Sequence, residues 1–277
     1  MRFSNSFRNP TTLRSHEPLT NDQIRSVAPS IFAVEAHESR SSRYVYIPTI
    51  QVLDKLRDEG FQPFMVCQTR VRNQEKIEHT KHMIRLRHAG RIMDKEANEI
   101  ILLNSHDGTS SYQMMGGVFR FVCSNGLVVG DSMAAQKVRH SGSHDVVDDV
   151  IEGAYEILSQ FESVDGQRDA MKSQVLQPYE QMALASAALA YRYDDVNLPA
   201  PVTASQLLLP NRHEDRSDDL WTTFNRVQEN VIKGGLRGKN KAGRRTTTRA
   251  VNGIDQDVKL NRALWMLAEE LRKHKAA

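Results

Sequence analysis

A run of basic residues near the C-terminus offers the clearest chemistry in the sequence. Between Asn230 and Asp255 the chain carries seven Lys and Arg residues and no acidic residue. The seven are Lys233, Arg237, Lys239, Lys241, Arg244, Arg245 and Arg249. Such a segment suits a polyanion, because phosphate binding gains from counterion release and guanidinium forks match phosphate oxygens. We predict that this basic loop, residues 233–249, contacts nucleic acid; the alternative is a solvated linker whose charge aids solubility.

Further arginines fall on stretches with the residue pattern of β-strands. They are Arg70, Arg72, Arg85, Arg87 and Arg120. If the outer faces of these strands align, the side chains form a cationic surface that could follow a nucleic-acid strand. Tyr112 and the exposed side of the strand at Phe119 would then supply stacking. The alternative is that these arginines are ordinary surface charges paired with Asp or Glu. Both interpretations stay open, because the sequence does not give the strand order.

A polar segment in the middle of the chain places Ser105, His106 and Asp107 side by side. A catalytic triad needs convergence in space, whereas adjacent residues on an extended chain point in opposite directions. We interpret the segment as a turn in which Ser105 and Asp107 satisfy backbone N–H groups, followed by the flexible Gly108.

His79 and His82, taken with Cys67 and Cys123, could suggest a metal site. Their spacing fits neither paired cysteines nor the H-E-x-x-H pattern, and no second pair of ligands is closely spaced. Both cysteines lie in apolar runs, which is typical of buried thiols. We predict no catalytic residue, no metal and no cofactor, and the sequence favours binding over enzymatic activity.

The elements that position these residues combine strand and helix patterns. The predicted strands cover residues 31–34, 61–72, 81–88 and the central stretch 98–130. The predicted helices cover residues 50–56, 144–194 with a kink or break at Pro178, 204–209, 220–232 and 258–275. The fold class is therefore α+β: an antiparallel sheet packed by long amphipathic helices. We predict a flexible N-terminal arm (1–30), an α+β core domain (31–195) and a helical C-terminal region (196–277).

Composition places the chain among soluble globular proteins. It has 277 residues, a hydrophobic fraction of 39%, a charged fraction of 26% and a formal net charge of +3. No apolar run reaches the length of about 18 residues that a membrane span requires, and no secretory signal opens the chain. Two cysteines allow at most one disulfide, which fits a reducing compartment. We expect a cytoplasmic protein without a membrane partner.

Two blocks of sequence resemble a known family. The first contains Leu-Leu-Asn-Ser-His-Asp-Gly-Thr-Ser at 102–110 and Phe-Arg-Phe-Val-Cys-Ser-Asn-Gly-Leu at 119–127, followed by Arg-His-Ser-Gly at 139–142. The second contains 220–230, 244–251 and 260–265. From about residue 44 onward the chain resembles the phage- and plasmid-borne domain of unknown function 932. The resemblance implies a mobile-element setting and a cytoplasmic protein, and it supplies no catalytic residue.

These observations favour a nucleic-acid-binding protein of a mobile element, with single-stranded DNA as the favoured partner. A sheet under a long helix beside a cationic groove is similar to the layout of phage single-strand annealing proteins, which would imply DNA recombination and homo-oligomerisation. The alternative is a protein-interaction or counter-defence factor whose basic loop contacts an acidic protein surface.

Overall fold

The structure is a computed structural model, and it describes residues 12–39, 46–71, 74–88, 96–121, 125–128, 136–138, 146–194 and 199–276. The chain divides into two compact units at Phe119 and at Ser159. The first unit takes the described residues up to Phe119 and those from Gln136 to Ser159. The second takes Arg120, Phe121, 125–128 and everything described from Gln160 onward. These divisions fall inside the predicted core domain 31–195.

The strands of the chain are β1 (Thr12–Arg14), β2 (Phe61–Gln68), β3 (His82–His88), β4 (Glu96–Asn104), β5 (Tyr112–Arg120), β6 (Asn125–Val128), β7 (Gln136–Val138), β8 (Arg237–Lys239) and β9 (Arg245–Thr247). In the first unit the strand order is β1-β2-β3-β4-β5, and β7 pairs antiparallel with β5. The pairs β1/β2, β2/β3 and β3/β4 are antiparallel. The predicted α+β class with an antiparallel sheet is confirmed.

The register of the sheet places apolar side chains in rows across the strands. Val66 of β2 pairs with Ile84 of β3, and Ile84 pairs with Leu102 of β4. All three side chains are fully buried. Alternation along each strand explains the row, because residues two apart share one face of a sheet. The helix α2 (Thr49–Asp58) packs against β2 and buries Val52 and Leu53.

The N-terminal part of the chain is more regular than predicted. Within the predicted arm 1–30, the described residues form β1, which pairs with β2, and the helix α1 (Asn21–Val27), which buries Ile24. Thr20 accepts a hydrogen bond from the backbone N–H of Gln23 and forms a capping box with it. The predicted strand at 31–34 is wrong: Pro29–Phe32 form a 3₁₀ helix, with Pro29 supplying the fixed φ that suits a helix start.

The predicted helical stretch 144–194 is broken just before Pro178. The helices α3 (Val146–Ser173) and α4 (Pro178–Arg192) are separate, and Pro178 opens α4. Because proline lacks the N–H that a helix interior needs, this position tolerates it. Gln177 and Glu180 form a capping box around the same turn.

The second unit contains α4, α5 (Ala204–Leu207), α6 (Leu220–Lys233) and α7 (Ile254–Ala276). Trp221, Phe224 and Trp265 pack their rings together between α6 and α7. The helix α6 is buried from Leu220 to Val231 on every face, polar residues included. No helix in the described part of the chain is long and apolar enough to cross a bilayer.

Candidate nucleic-acid interface

The basic loop folds as an ordered β-hairpin. Strand β8 pairs antiparallel with β9, with Arg237 opposite Thr247 and Lys239 opposite Arg245. Asn240 closes the turn, because its side-chain oxygen accepts hydrogen bonds from the N–H groups of Ala242 and Arg244, both at 3.0 Å. The segment is thus a structured surface and not the solvated linker that was the alternative interpretation. We call residues 237–249 the basic hairpin.

The two faces of the basic hairpin differ in chemistry. Arg237 and Lys239 lie on one face of β8, and Arg245 and Thr247 lie on the same face of β9; all four are exposed. The opposite face carries the half-buried Gly238 and Thr246. A further three exposed cations lie at the turn and beyond β9: Lys241, Arg244 and Arg249. Among the described residues none of these six cations has an ion pair.

The basic hairpin is fixed along the outer edge of β8. The N–H of Lys239 donates to the carbonyl oxygen of Pro201 at 2.9 Å, and the amide of Gln206 donates to the carbonyl oxygen of Arg237 at 2.9 Å. A Cβ on Gly238 would lie 1.9 Å from the Pro201 oxygen, so only glycine permits this approach. The contact covers an edge that would otherwise be open, leaving the cationic face to solvent.

The base of the hairpin is held by Thr248 and by the end of α6. The Thr248 hydroxyl accepts from the N–H of Leu236 at 3.0 Å, and its carbonyl accepts from the N–H of Gly235 at 2.9 Å. Gly234 ends α6 at a φ of 65°, and a Cβ there would lie 2.7 Å from the carbonyl carbon of Arg249. The helix predicted over 220–232 is confirmed and ends one residue later, at Lys233.

Two of the predicted nucleic-acid contacts, Lys233 and Arg120, take part in a chain of ion pairs in the second unit. Lys233 pairs with Glu229 at 2.9 Å, and Arg212 pairs with the same carboxylate at 2.6 Å. Arg212 also binds Asp215 at 2.8 Å, and Asp215 binds the buried Arg120 at 2.6 Å. Burial raises the pKa of Glu229, but hydrogen bonds from Arg212 and Lys233 outweigh it and lower the pKa to about 2. The predicted outward role of Arg120 is therefore wrong.

The arginines of the third strand are also buried. Arg85 is 2% exposed and Arg87 is 1% exposed, and both donate to Glu99, at 3.1 and 2.9 Å. The guanidinium of Arg87 lies 4.3 Å from the ring centroids of both Phe64 and Phe119. The predicted cationic outer face of β3 is wrong, because this face of the sheet is covered and its charges are neutralised inside the protein.

The rest of the predicted sheet surface does not assemble either. Arg70 is exposed just beyond β2, while Arg72 lies outside the described residues. Tyr112 and Phe119, predicted to stack on bases, are buried. Of the predicted contacts, the structure thus brings together on one exposed surface only those of the basic hairpin, within the part of the chain that it describes.

The central polar segment is a turn, as predicted. The Ser105 hydroxyl accepts from the N–H of Ser110 at 2.8 Å, and the Asp107 carboxylate accepts from the N–H of Thr109 at 3.0 Å. Burial raises the pKa of Asp107, but hydrogen bonds from Thr109 and Ser105 outweigh it and lower the pKa. Gly108 has a φ of 75°, the region that glycine accepts without steric cost.

A buried polar cluster, not predicted from the sequence, lies beneath this turn. Thr49 Oγ1 accepts from Asn104 Nδ2 at 3.0 Å and lies 2.9 Å from His82 Nε2. Ser30 Oγ lies 2.8 Å from His82 Nδ1, and His106 Nε2 is 3.3 Å from Thr49 Oγ1. Burial, together with the nearby imidazole of His106, lowers the pKa of His82 to about 3. The sequence does contain a signal for the burial of His82. Residues two apart share one face of a strand, so His82 lies on the same face as the apolar Ile84 and Leu86.

Metal binding receives no support from the described residues, where no group of three or more His, Cys, Asp and Glu could hold an ion. His82 of the H-x-x-H pair is committed to Ser30 and Thr49. Cys67 is buried, and Cys123 lies outside the described residues.

Comparison of the sequence with known proteins identifies its family. The sequence matches the model described as domain of unknown function (DUF932) over residues 36–265. It is 58% identical over 270 residues to the UPF0380 protein YfjQ of Escherichia coli strain K12, covering 98% of this chain and 97% of the relative. It is 57% identical, with the same coverage, to the UPF0380 protein YafZ of that strain. No solved structure matches. The chain belongs to the DUF932 family.

Proposed function

We propose that the chain binds nucleic acid through the basic hairpin and holds the phosphate backbone without reading base sequence. The observation that supports the proposal most directly is the cross-strand pair Lys239 and Arg245. Like charges directly opposite each other destabilise a two-stranded sheet. An anion lying across both side chains would turn this repulsion into attraction, and phosphate is the anion that paired Lys and Arg suit.

The spacing of the cations supports a chain of phosphates over a single anion. Arg237 and Lys239 are two residues apart on one strand face, which separates them by about 7 Å. Neighbouring phosphates of one nucleic-acid strand lie a similar distance apart along the sugar–phosphate backbone, so the two side chains would reach successive phosphates. Lys241, Arg244 and Arg249 extend the cationic surface beyond β8 and β9.

The finer proposal is sequence-independent binding of single-stranded DNA by a mobile-element protein acting in recombination, with annealing and homo-oligomerisation. Its support is the family resemblance and the analogy to annealing proteins. The charge of the basic hairpin supports phosphate binding in either strand form. Because Arg85, Arg87 and Arg120 are buried, the proposal rests on the hairpin.

The test is fluorescence anisotropy of labelled single- and double-stranded oligonucleotides titrated with the full chain. Arg244→Ala with Arg245→Ala should weaken binding by about tenfold or more at low salt, because two phosphate contacts are lost. The matched control is Lys55→Ala with Lys76→Ala, which removes the same charge from exposed positions in the first unit.

Equal losses in both double variants would show that net charge, and not the hairpin, drives binding. No binding of either oligonucleotide by the unaltered chain at low salt would overturn the proposal. The alternative function is that of a protein-interaction or counter-defence factor. It would then be tested by a pull-down from cytosol, in which the hairpin should bind a protein with an acidic surface.

A further inference from the structure

A small pocket lies at the junction of α4 and α7 in the second unit. Its volume is about 130 Å³, and it is lined by Tyr191, Arg192, Asp194, Gln256, Lys259 and Leu260. Leu260 is buried, while Tyr191 is 40% exposed. A cavity of about 150 Å³ is known to take one six-membered aromatic ring, so this pocket has the size of a single planar ring.

The pocket adjoins the basic hairpin. The guanidinium Nη2 of Arg192 donates to the carbonyl oxygen of Arg249 at 3.5 Å. Arg249 is the last cation of the hairpin, and its backbone thus contacts a residue that lines the pocket. Both features belong to the second unit.

The charges in the pocket are arranged for an anion beside an aromatic ring. Lys259 Nζ lies over one face of the Tyr191 ring, 5.9 Å from the ring centroid. Neither Lys259 nor Arg192 forms an ion pair with a carboxylate in the part of the chain that the structure describes. A phosphate would meet these two cations, and its base would stack on the exposed part of the Tyr191 ring that Lys259 does not cover.

The remaining polar groups suit the edge of a base. Asp194 offers a carboxylate acceptor, and Gln256 offers an amide with one donor and one acceptor side. The negative charge of Asp194 disfavours a phosphate at its end of the pocket, which sets the direction of a bound nucleotide.

We propose that this pocket accepts one unpaired nucleobase, stacked on Tyr191, of a strand whose phosphates lie on the basic hairpin. The inference rests on the proposed function and deepens it: the ligand class is single-stranded nucleic acid, because a base inside a duplex cannot leave its stack without cost. The hairpin supplies affinity for the backbone, and the pocket supplies the preference for single strands.

The experiment compares two labelled single strands of equal length, one with bases and one abasic, in anisotropy titrations of the full chain. Both carry the same phosphates, so their affinity ratio isolates the bases. We expect the chain to prefer the base-bearing strand by about fivefold or more. Tyr191→Ala should bring the ratio close to one, whereas Tyr191→Phe keeps the ring and should preserve it.

Two controls separate the pocket from the hairpin and from general effects. Tyr179→Ala removes a tyrosine that is 73% exposed on the same helix and should leave the ratio unchanged. Arg244→Ala with Arg245→Ala should weaken both strands alike and also leave the ratio unchanged. A 2-aminopurine in the strand should lose fluorescence on binding the unaltered chain and keep it on binding Tyr191→Ala.

Equal binding of the two strands by the unaltered chain, or a ratio that survives Tyr191→Ala, would overturn this inference while the proposed function stands. Failure of the chain to bind either strand at low salt would overturn both.

Discussion

Glu99 is the shared acceptor of two guanidinium groups that water does not reach. Arg85 and Arg87 bind its two oxygens from the neighbouring strand, and all three side chains are at most 3% exposed. Removing a charge from water is costly, so such a group is stable only while its partner is charged and correctly placed. The Phe64 and Phe119 rings on Arg87 add cation–π attraction to the Glu99 contact.

We therefore expect Glu99→Gln to lower the free energy of unfolding by about 3–5 kcal/mol, because it leaves two buried guanidinium groups without their carboxylate. Urea unfolding followed by far-ultraviolet circular dichroism measures the change. The matched control is Asp54→Asn, which breaks an i,i+3 pair with Arg57 at a carboxylate that is 56% exposed. This control should cost no more than about 1 kcal/mol. Equal costs for the two variants would contradict the assignment of Glu99 as a buried counter-ion.

His82 should make folding sensitive to acid. Its pKa is about 3 in the folded chain against an ordinary value of 6.5, so between these values only the unfolded chain binds the proton. Stability is therefore fully present above about pH 6.5 and is lost as pH falls towards 3. From about pH 6 to about pH 5 the chain should lose about 1 kcal/mol more than His82→Gln, which has no titrating ring.

Urea midpoints at several pH values give the slope of stability against pH for each variant. A substitution that destabilises the chain equally at every pH leaves this slope unchanged. His213→Gln removes an exposed imidazole and serves as the control. Its stability should change with pH as steeply as that of the unaltered chain. A His82→Gln variant that keeps the same slope would show that the buried ring does not take part in acid unfolding.

At the scale of elements, the basic hairpin depends on one close backbone approach. Gly238→Ala would place a methyl group 1.9 Å from the Pro201 oxygen, so the edge of β8 must separate from residue 201. We expect trypsin to cleave within the hairpin several times faster in this variant, because an exposed, released strand offers its Lys and Arg bonds. Timed digestion with mass analysis identifies the sites.

The matched control is Gly166→Ala in α3, where no atom lies within 4 Å of the added methyl group. It should leave hairpin cleavage unchanged and stabilise the helix by about 0.5–1 kcal/mol, because alanine loses less backbone entropy. Unchanged cleavage in Gly238→Ala would show that the contact with Pro201 is not what holds the hairpin.

The elements also show what the sequence could and could not predict. Helices α2, α6 and α7 and strands β2, β3 and β4 follow from apolar spacing, and the turn at Asp107 follows from its side-chain chemistry. Arg85 and Arg87 were misassigned because period two tells which residues share a face, not whether that face is covered. In the sequence, only Glu99 on the next strand indicates a buried ion pair. Whether Glu99 meets the two arginines depends on the strand register, which the tertiary structure sets.

The helix α6 presents the same limit in another form. Its apolar spacing identified Trp221 and Phe224 as inward, but Asn225, Gln228 and Asn230 are also buried. Each finds a specific partner. Asn225 donates to the carbonyl oxygen of Trp221, Gln228 donates to Asn261, and Asn230 donates to the carbonyl oxygens of Leu207 and Leu209. Polar residues can occupy a buried helix face only when such partners exist, and composition does not give the partners.

For the whole molecule, the distribution of charge matters more than its sum. The formal net charge is +3, from 37 basic and 34 acidic residues, whereas the basic hairpin alone exposes six cations without an ion pair to a described carboxylate. The Lys233-to-Arg120 chain shows how other cations are neutralised internally. Long-range attraction of a polyanion would therefore originate at the hairpin, because without its six cations the formal charge of +3 becomes −3.

This distribution predicts the salt dependence of nucleic-acid binding. If the six hairpin cations are the phosphate contacts, log K for a single strand should fall against log salt with a slope of about −4. Arg244→Ala with Arg245→Ala should reduce the slope to about −3, while Lys55→Ala with Lys76→Ala should leave it at about −4. Anisotropy titrations over a series of salt concentrations give these slopes. A much steeper slope in the unaltered chain, or an equal reduction in both variants, would mean that phosphates are bound by surfaces other than the hairpin.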